Sequence, residues 1–202
     1  MKAKLLKFLF CCIFITNSLL AQKLTLRAEN VKLSECHQSE PASLAVNAAI
    51  TINAYNGLDG RILLFKKLNL VSEVKVAKSQ SDSLGGKYLF VINYDIFPSG
   101  HEVTNKPNLN DFVILEPGKA YVSKINQQFA ATNIDRRGSV LHPGEYWIQL
   151  TIIPVPVSLW ENENAVAKYR KKWQERGRIY SEPLTTEPFQ VTVQGNGAPQ
   201  CR

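Results

Sequence analysis

The 202-residue sequence predicts an all-β fold, an antiparallel sandwich of roughly seven or eight short strands with one α-helix inserted before the last. Three observations predict it. Apolar residues recur at every second position, most clearly at Leu44, Val46, Ala48, Ile50, Ile52 and Ala54, and again at Tyr146, Ile148, Leu150 and Ile152. Turn dipeptides that tolerate positive φ separate these runs: Asn56-Gly57, Asp59-Gly60, Pro117-Gly118 and Pro143-Gly144. Helical spacing occurs once, at Val166, Tyr169 and Trp173.

Residues 1–21 read as a secretory signal peptide. Lys2, Lys4 and Lys7 form a charged start, Phe8 to Ile15 an apolar core, and Ala21 the last residue before cleavage, so the mature chain begins at about Gln22. Asn17 and Ser18 interrupt the apolar run, which leaves it too short and too polar for a transmembrane helix. Bulky Phe10 before Cys11 argues against lipidation there. The remaining 202 − 21 = 181 residues, 22–202, suffice for a single domain. Losing three lysines takes the net charge from 24 − 17 = +7 to 21 − 17 = +4, a modest excess that implies no nucleic-acid partner. The mature chain keeps two cysteines, Cys36 and Cys201. In an oxidising compartment such a pair is expected to form one bridge.

Leu24, Leu26 and Ala28 open a first strand that ends near Leu33, and Leu44 to Ala54 form the second. Ile62 to Phe65 is a short apolar strand. Val74 and Val76, flanked by Glu73, Lys75 and Lys78, suggest an edge strand guarded by charge. Ser81 to Gly86 reads as a turn, and Tyr88 to Tyr94, apolar on both faces, as a strand in mid-sheet. Asp95 to Asp111, with Pro98, Gly100 and Pro107, is a long loop. Phe112 to Leu115 leads through Leu115-Glu116-Pro117-Gly118 into a half-buried strand carrying Tyr121, Ile125 and Phe129. A polar crossing loop, Ala130 to Val140, delivers the chain to Leu141–Ile152. Pro154 and Pro156 end that strand, since proline cannot donate to a ladder. Ser158 and Glu161 then have capping-box spacing, which predicts a helix from about Leu159 to Arg176 with Gly177 as its stop. Ile179-Tyr180 is a short extended piece, and Phe189, Val191 and Val193 mark the last strand.

Leu141, Pro143, Gly144 and Tyr146, at the head of a strongly alternating strand, resemble the tyrosine corner of immunoglobulin-like sandwiches. The two Leu-x-Pro-Gly turns and the closing F-Q-V-T-V strand are similar to secreted bacterial modules of that fold. The resemblance implies an immunoglobulin-like antiparallel β-sandwich with one inserted α-helix before the last strand. It also implies that Tyr146 is buried, with its hydroxyl bonded to backbone a few residues upstream. The leucine stands five residues before the tyrosine, where fibronectin type III domains space them by six; no central disulfide with a buried tryptophan is present, so antibody-type domains fit poorly. A small bacterial proteinase-inhibitor family has a similar layout, without a matching inhibitory loop here.

Motifs for catalysis are missing: there is no G-x-S-x-G, H-E-x-x-H, P-loop or dinucleotide fingerprint. His37, His101 and His142 stand far apart, and none has a second ligand at metal-binding spacing. Asp95, Glu102 and Asp111 bracket one loop without the dense spacing of a calcium site. No catalytic residue, metal or cofactor is expected. The feature beyond scaffold is a basic run, Lys168, Arg170, Lys171, Lys172, Arg176 and Arg178, interleaved with Tyr169 and Trp173 and opposed only by Glu175. Such a helix suits an anionic partner; the plainer alternative is that the rings pack on the sandwich while the cations face water. The expected function is therefore that of a secreted or periplasmic binding module without catalysis, whose partner is an unknown protein or anionic polymer. The competing expectation is an inhibitor or immunity protein that blocks an envelope or extracellular hydrolase.

Overall fold

The computed structural model describes residues 23–38, 43–68, 70–94, 106–129, 143–160, 162–194 and 198–199. Residues 1–22, 95–105 and 130–142, with Glu161 and Cys201, are among those that lie outside the described residues. The strands are β1 (Leu24–Gln38), β2 (Ser43–Asn56), β3 (Ile62–Phe65), β4 (Val71–Ala77), β5 (Phe90–Asn93), β6 (Phe112–Leu115), β7 (Ala120–Phe129), β8 (Gly144–Ile152), β9 (Arg178–Ile179), β10 (Leu184–Thr185) and β11 (Phe189–Val193). Two helices interrupt them, α1 (Gln80–Leu84) and α2 (Glu163–Lys172).

The strands form three sheets: β1-β2-β7; β10-β8-β4-β5, in which β11 also pairs with β8; and the small sheet β6-β3-β9. Every ladder is antiparallel except β3 with β9. This all-β arrangement is compatible with a sandwich. The period-two runs dictate it: Val46, Ala48, Ile50, Ile52 and Ala54 of β2 share one core with Val74 and Val76 of β4, Tyr146, Ile148, Leu150 and Ile152 of β8, and Phe189, Val191 and Val193 of β11. Because alternate side chains point to opposite faces, each strand gives that core one face and keeps the other outside. β8 lies between β4 on one side and β10 and β11 on the other. The alternating stretch headed by Tyr146 is thus the strand that the largest sheet is built around.

A second, smaller core contains Leu63, Phe112, Ile153, Val155, Leu159, Val166, Trp173 and Ile179. It seats α2 against the small sheet.

Several local expectations are corrected. β4 is not an edge strand, because β8 and β5 flank it. Its charges settle on one another instead: Lys75 Nζ lies 2.7 Å from Glu73 Oε1, which also accepts from Thr151 Oγ1 at 3.0 Å. The apolar run expected in mid-sheet supplies β5, the edge, and leaves Leu89 and Val91 exposed. Ser81–Gly86 is largely the helix α1, capped by Ser79, whose Oγ accepts from Asp82 N at 3.1 Å. The α2 helix, Glu163–Lys172, is shorter than the expected Leu159 to Arg176. Pro156 O accepts from Leu159 N and Trp160 N, holding Ser158 in a 3-10 turn, and Asn162 caps the helix by accepting from Ala165 N at 2.9 Å. Gly177 lies beyond the helix end; with φ +142° it presses against Arg61, where a Cβ would meet the carbonyl oxygen at 3.0 Å. That approach lets Arg178 N reach Arg61 O and β9 join β3.

Candidate binding face

The cations expected to form a binding face all lie at or just beyond α2. Glu163 in the first turn and Arg170, Lys171 and Lys172 in the last complement the helix dipole. Val166 and Trp173 are buried and Tyr169 half-buried, while Lys168, Arg170, Lys171, Lys172, Arg176 and Arg178 are exposed. As the packing alternative expected, the inward side chains pack on the body of the protein while the cations face outward, and they do so in the smaller of the two cores. Trp173 meets Phe112 of β6 edge-on, with ring centroids 5.4 Å apart, and Tyr169 packs on Trp173 at 4.9 Å.

The six cations divide into two groups. Arg170 donates to Ser181 Oγ at 2.8 Å. Lys172 Nζ sits 5.7 Å and 5.8 Å from the ring centres of Tyr169 and Trp173, and the Arg178 guanidinium 5.9 Å from that of Tyr180. Burial raises the Tyr180 phenol above its usual value, reinforced by the charge of Glu182 and opposed by Arg178. These three cations are held against the protein. Lys168, Lys171 and Arg176 have no side-chain partner among the described residues.

Tyr146 is buried at 5 % exposure, with Lys78 Nζ 4.8 Å from its ring centre. Its hydroxyl was expected to bond backbone a few residues upstream, and of that stretch the residues before Pro143 lie outside the described residues. Cys36 of β1 is disulfide-bonded; Cys201, its expected partner, lies outside the described residues. His101, Glu102, Asp95 and His142 fall outside them too. Asp111 is occupied locally: its carboxylate accepts from Asn108 N at 2.9 Å in a small capping box. Among the described residues no group of three or more His, Cys, Asp or Glu side chains could hold a metal ion, and no helix is long and apolar enough to cross a membrane.

Two polar anchors escaped the sequence reading. Asn56 is fully buried and makes three side-chain hydrogen bonds, donating to Gly60 O and Leu115 O and accepting from Leu58 N. Thr186, also buried, accepts from Leu150 N through its hydroxyl at 3.0 Å. The Asn-Gly turn signal marked the first position; the second had no signal beyond Pro188 nearby. In comparisons with known proteins, no family model, curated protein or solved structure matches the chain.

Proposed function

We propose that the mature chain is a non-catalytic binding module of the secreted or periplasmic compartment, built on an immunoglobulin-like sandwich, and that it meets its partner through the cationic side of α2. The observation that carries this reading is how α2 is built. Its apolar side is held in a core of its own, while Lys168, Lys171 and Arg176 stand outward without side-chain partners among the described residues. Like charges one turn apart weaken a helix slightly, and an anionic partner would offset that cost. Compartment rests on the charged-then-apolar segment 1–21.

The strand orders support the immunoglobulin-like part. β1, β2 and β7 form one sheet and β11, β8, β4 and β5 the other, which corresponds to the first, second and fifth strands facing the seventh, sixth and third, with one added at the edge. The test is capture: immobilised mature protein is incubated with an envelope extract of the source cell and washed with rising salt. The reading expects a retained component that salt releases and that a Lys171→Glu variant fails to hold. A one-to-one complex with a hydrolase that loses its activity, unaffected by that substitution, would replace it with the inhibitor reading.

A further inference from the structure

Lys168, Lys171 and Lys172 are spaced i, i+3 and i+4, so they share the side of α2 turned away from Val166 and Trp173. Arg176, exposed in the turn that follows, adds a cation beyond the helix end. Within the helix the one acid is Glu163, in its first turn and away from the lysines, while exposed Glu175 stands beside Arg176 beyond the helix end. Lys168 and Lys171 are three residues, or about 4.5 Å, apart along the axis, close to the advance of one sugar ring along an extended glycan.

Three kinds of anionic partner could meet such a row, and the surroundings favour one. A helix that lies on a membrane must offer an apolar side to the lipid, and here Val166 and Trp173 are already buried against Phe112 and its neighbours. A protein interface gains most of its energy from aromatic anchors sunk in a dry centre. The rings on this side, Tyr169 and Tyr180, are half-buried and covered by Lys172 and Arg178. The exposed large apolar side chains among the described residues, such as Leu84, Leu89 and Val122, belong to other elements. What remains is a group of exposed cations with no apolar anchor, suited to a chain that carries one negative charge per short repeat.

Resting on the reading of α2 as the binding face, we infer that the partner is an acidic polysaccharide, carboxylated or sulfated, which lies along α2 with Lys168, Lys171 and Arg176 as its principal contacts. Association is electrostatic and is screened by salt within a Debye length of about 10 Å at 0.1 M.

The experiment uses the mature, oxidised protein on immobilised alginate and heparin, with neutral dextran, phosphatidylglycerol vesicles and duplex DNA as the other arms. Retention is expected on alginate and heparin, with release by rising sodium chloride, and none on dextran. Reversing Lys168, Lys171 and Arg176 to Glu should weaken binding on the order of tenfold or more. Circular dichroism and the melting temperature report whether that variant is folded; if it is not, Lys171→Glu alone carries the test. Lys124→Glu, an equal charge change on exposed Lys124 of β7, should alter binding less than twofold. Equal loss from Lys124→Glu and Lys171→Glu would overturn the inference, as would tighter binding to vesicles or DNA than to either polysaccharide. A protein that ignores both polysaccharides yet captures an envelope protein through Lys171 refutes the polysaccharide and leaves α2 as the binding face. If Lys171→Glu changes the binding of nothing, both readings fail.

Discussion

Asn56 concentrates more structural consequence than any other polar side chain described. It sits at the end of β2 and ties the β2–β3 turn, through Gly60 O, to the end of β6, through Leu115 O. Its backbone joins in: Asn56 N donates to Lys119 O, and Asn56 O accepts from Gly118 N. Gly118, at φ +72°, supplies the left-handed residue that this turn needs. Asn56→Ala would strand the part-buried Leu58 N–H and the Gly60 carbonyl as well as the buried Leu115 carbonyl, so a loss of about 2–4 kcal/mol is expected in urea unfolding; a loss under about 0.5 kcal/mol would show that water replaces the amide. The sequence marked Asn56-Gly57 as a turn but could not show that the amide reaches Leu115, 59 residues away, because long-range partners of a polar side chain leave no periodicity. A second residue-level expectation concerns pH. Burial first, then Glu182, raises the Tyr180 phenol above 10.0, and burial raises Tyr94 likewise against a hydrogen bond from Gln127. A raised acid holds its proton more tightly when folded. The contribution to stability is therefore full below pH 10 and is lost as pH rises through the folded-state values. Urea midpoints should fall as pH rises above about 10, and Tyr180→Phe should flatten part of that fall; an unchanged slope in Tyr180→Phe would remove Tyr180 as a cause.

Among the elements, α2 is the one whose stability can be separated from the rest. It has ten residues, too few for a stable isolated helix, so its order depends on Trp173 and Val166 in the second core. Trp173→Ala should cost about 3–5 kcal/mol locally, with amide exchange in α2 accelerating far more than in β8. Equal acceleration in both would mean that the two cores unfold as one unit. Period and punctuation made most elements legible: β2, β8 and β11 have the inward faces that their alternation demands, and Val166 and Trp173 point inward at helical spacing. Neighbourhood was less legible. Glu73 and Lys75 suggested an edge, yet a charge beside a strand is equally stable when it pairs along the same face, as these two do at 2.7 Å. Tyr88–Tyr94 suggested mid-sheet because it is apolar on both faces; Tyr88 instead covers Lys75 and donates to Gln149 Oε1. The capping serine of α1 was present as Ser79-x-x-Asp82, a helix-start signature that a helix of only five residues hardly announces. The cations of α2 were legible as a group, but only the folded chain separates Lys168, Lys171 and Arg176 from the three held against Ser181 and the aromatic rings.

At the scale of the whole molecule, the two main sheets meet where the last strands pass the first. Leu26 bridges Thr186 in parallel, Glu187 N donates to Leu26 O, and Arg27 Nε lies 2.9 Å from Glu187. β1 and the terminal strands therefore run the same way, even though the chain has more strands than the seven or so expected. Both then finish at the same end. Gln194, just past β11, donates its backbone N–H to Glu35 Oε1 at 2.8 Å, and Cys36 is the next residue along β1. Farther on, Ala198 packs against the main core and, with Val31, Leu33, Glu35, Gln190 and Gln194, lines a cleft of about 470 Å³. From Ala198 to Cys201 is 201 − 198 = 3 residues, a reach of about 10 Å, while a disulfide needs Cα atoms about 4.4–6.8 Å apart. Cys36 is already half of a disulfide, and removal of residues 1–21 would leave Cys201 as the other cysteine of the mature chain. We therefore expect Cys36–Cys201, closing a loop of 201 − 36 = 165 residues. The chain-entropy model assigns such a loop about 5 kcal/mol, and about 2–4 kcal/mol is commoner in practice. The bridge would fasten the tail across the cleft, over the side where β1 and β11 each end a sheet. Peptide mapping of the unreduced mature protein should recover a Cys36–Cys201 linked pair and no free thiol. Cys201→Ser and mild reduction should lower the unfolding midpoint by the same amount. Two free thiols, or a linkage of Cys36 between two chains, would rule out the pairing; so would a reduced protein as stable as the oxidised one, because a bridge closing this loop must constrain the unfolded chain.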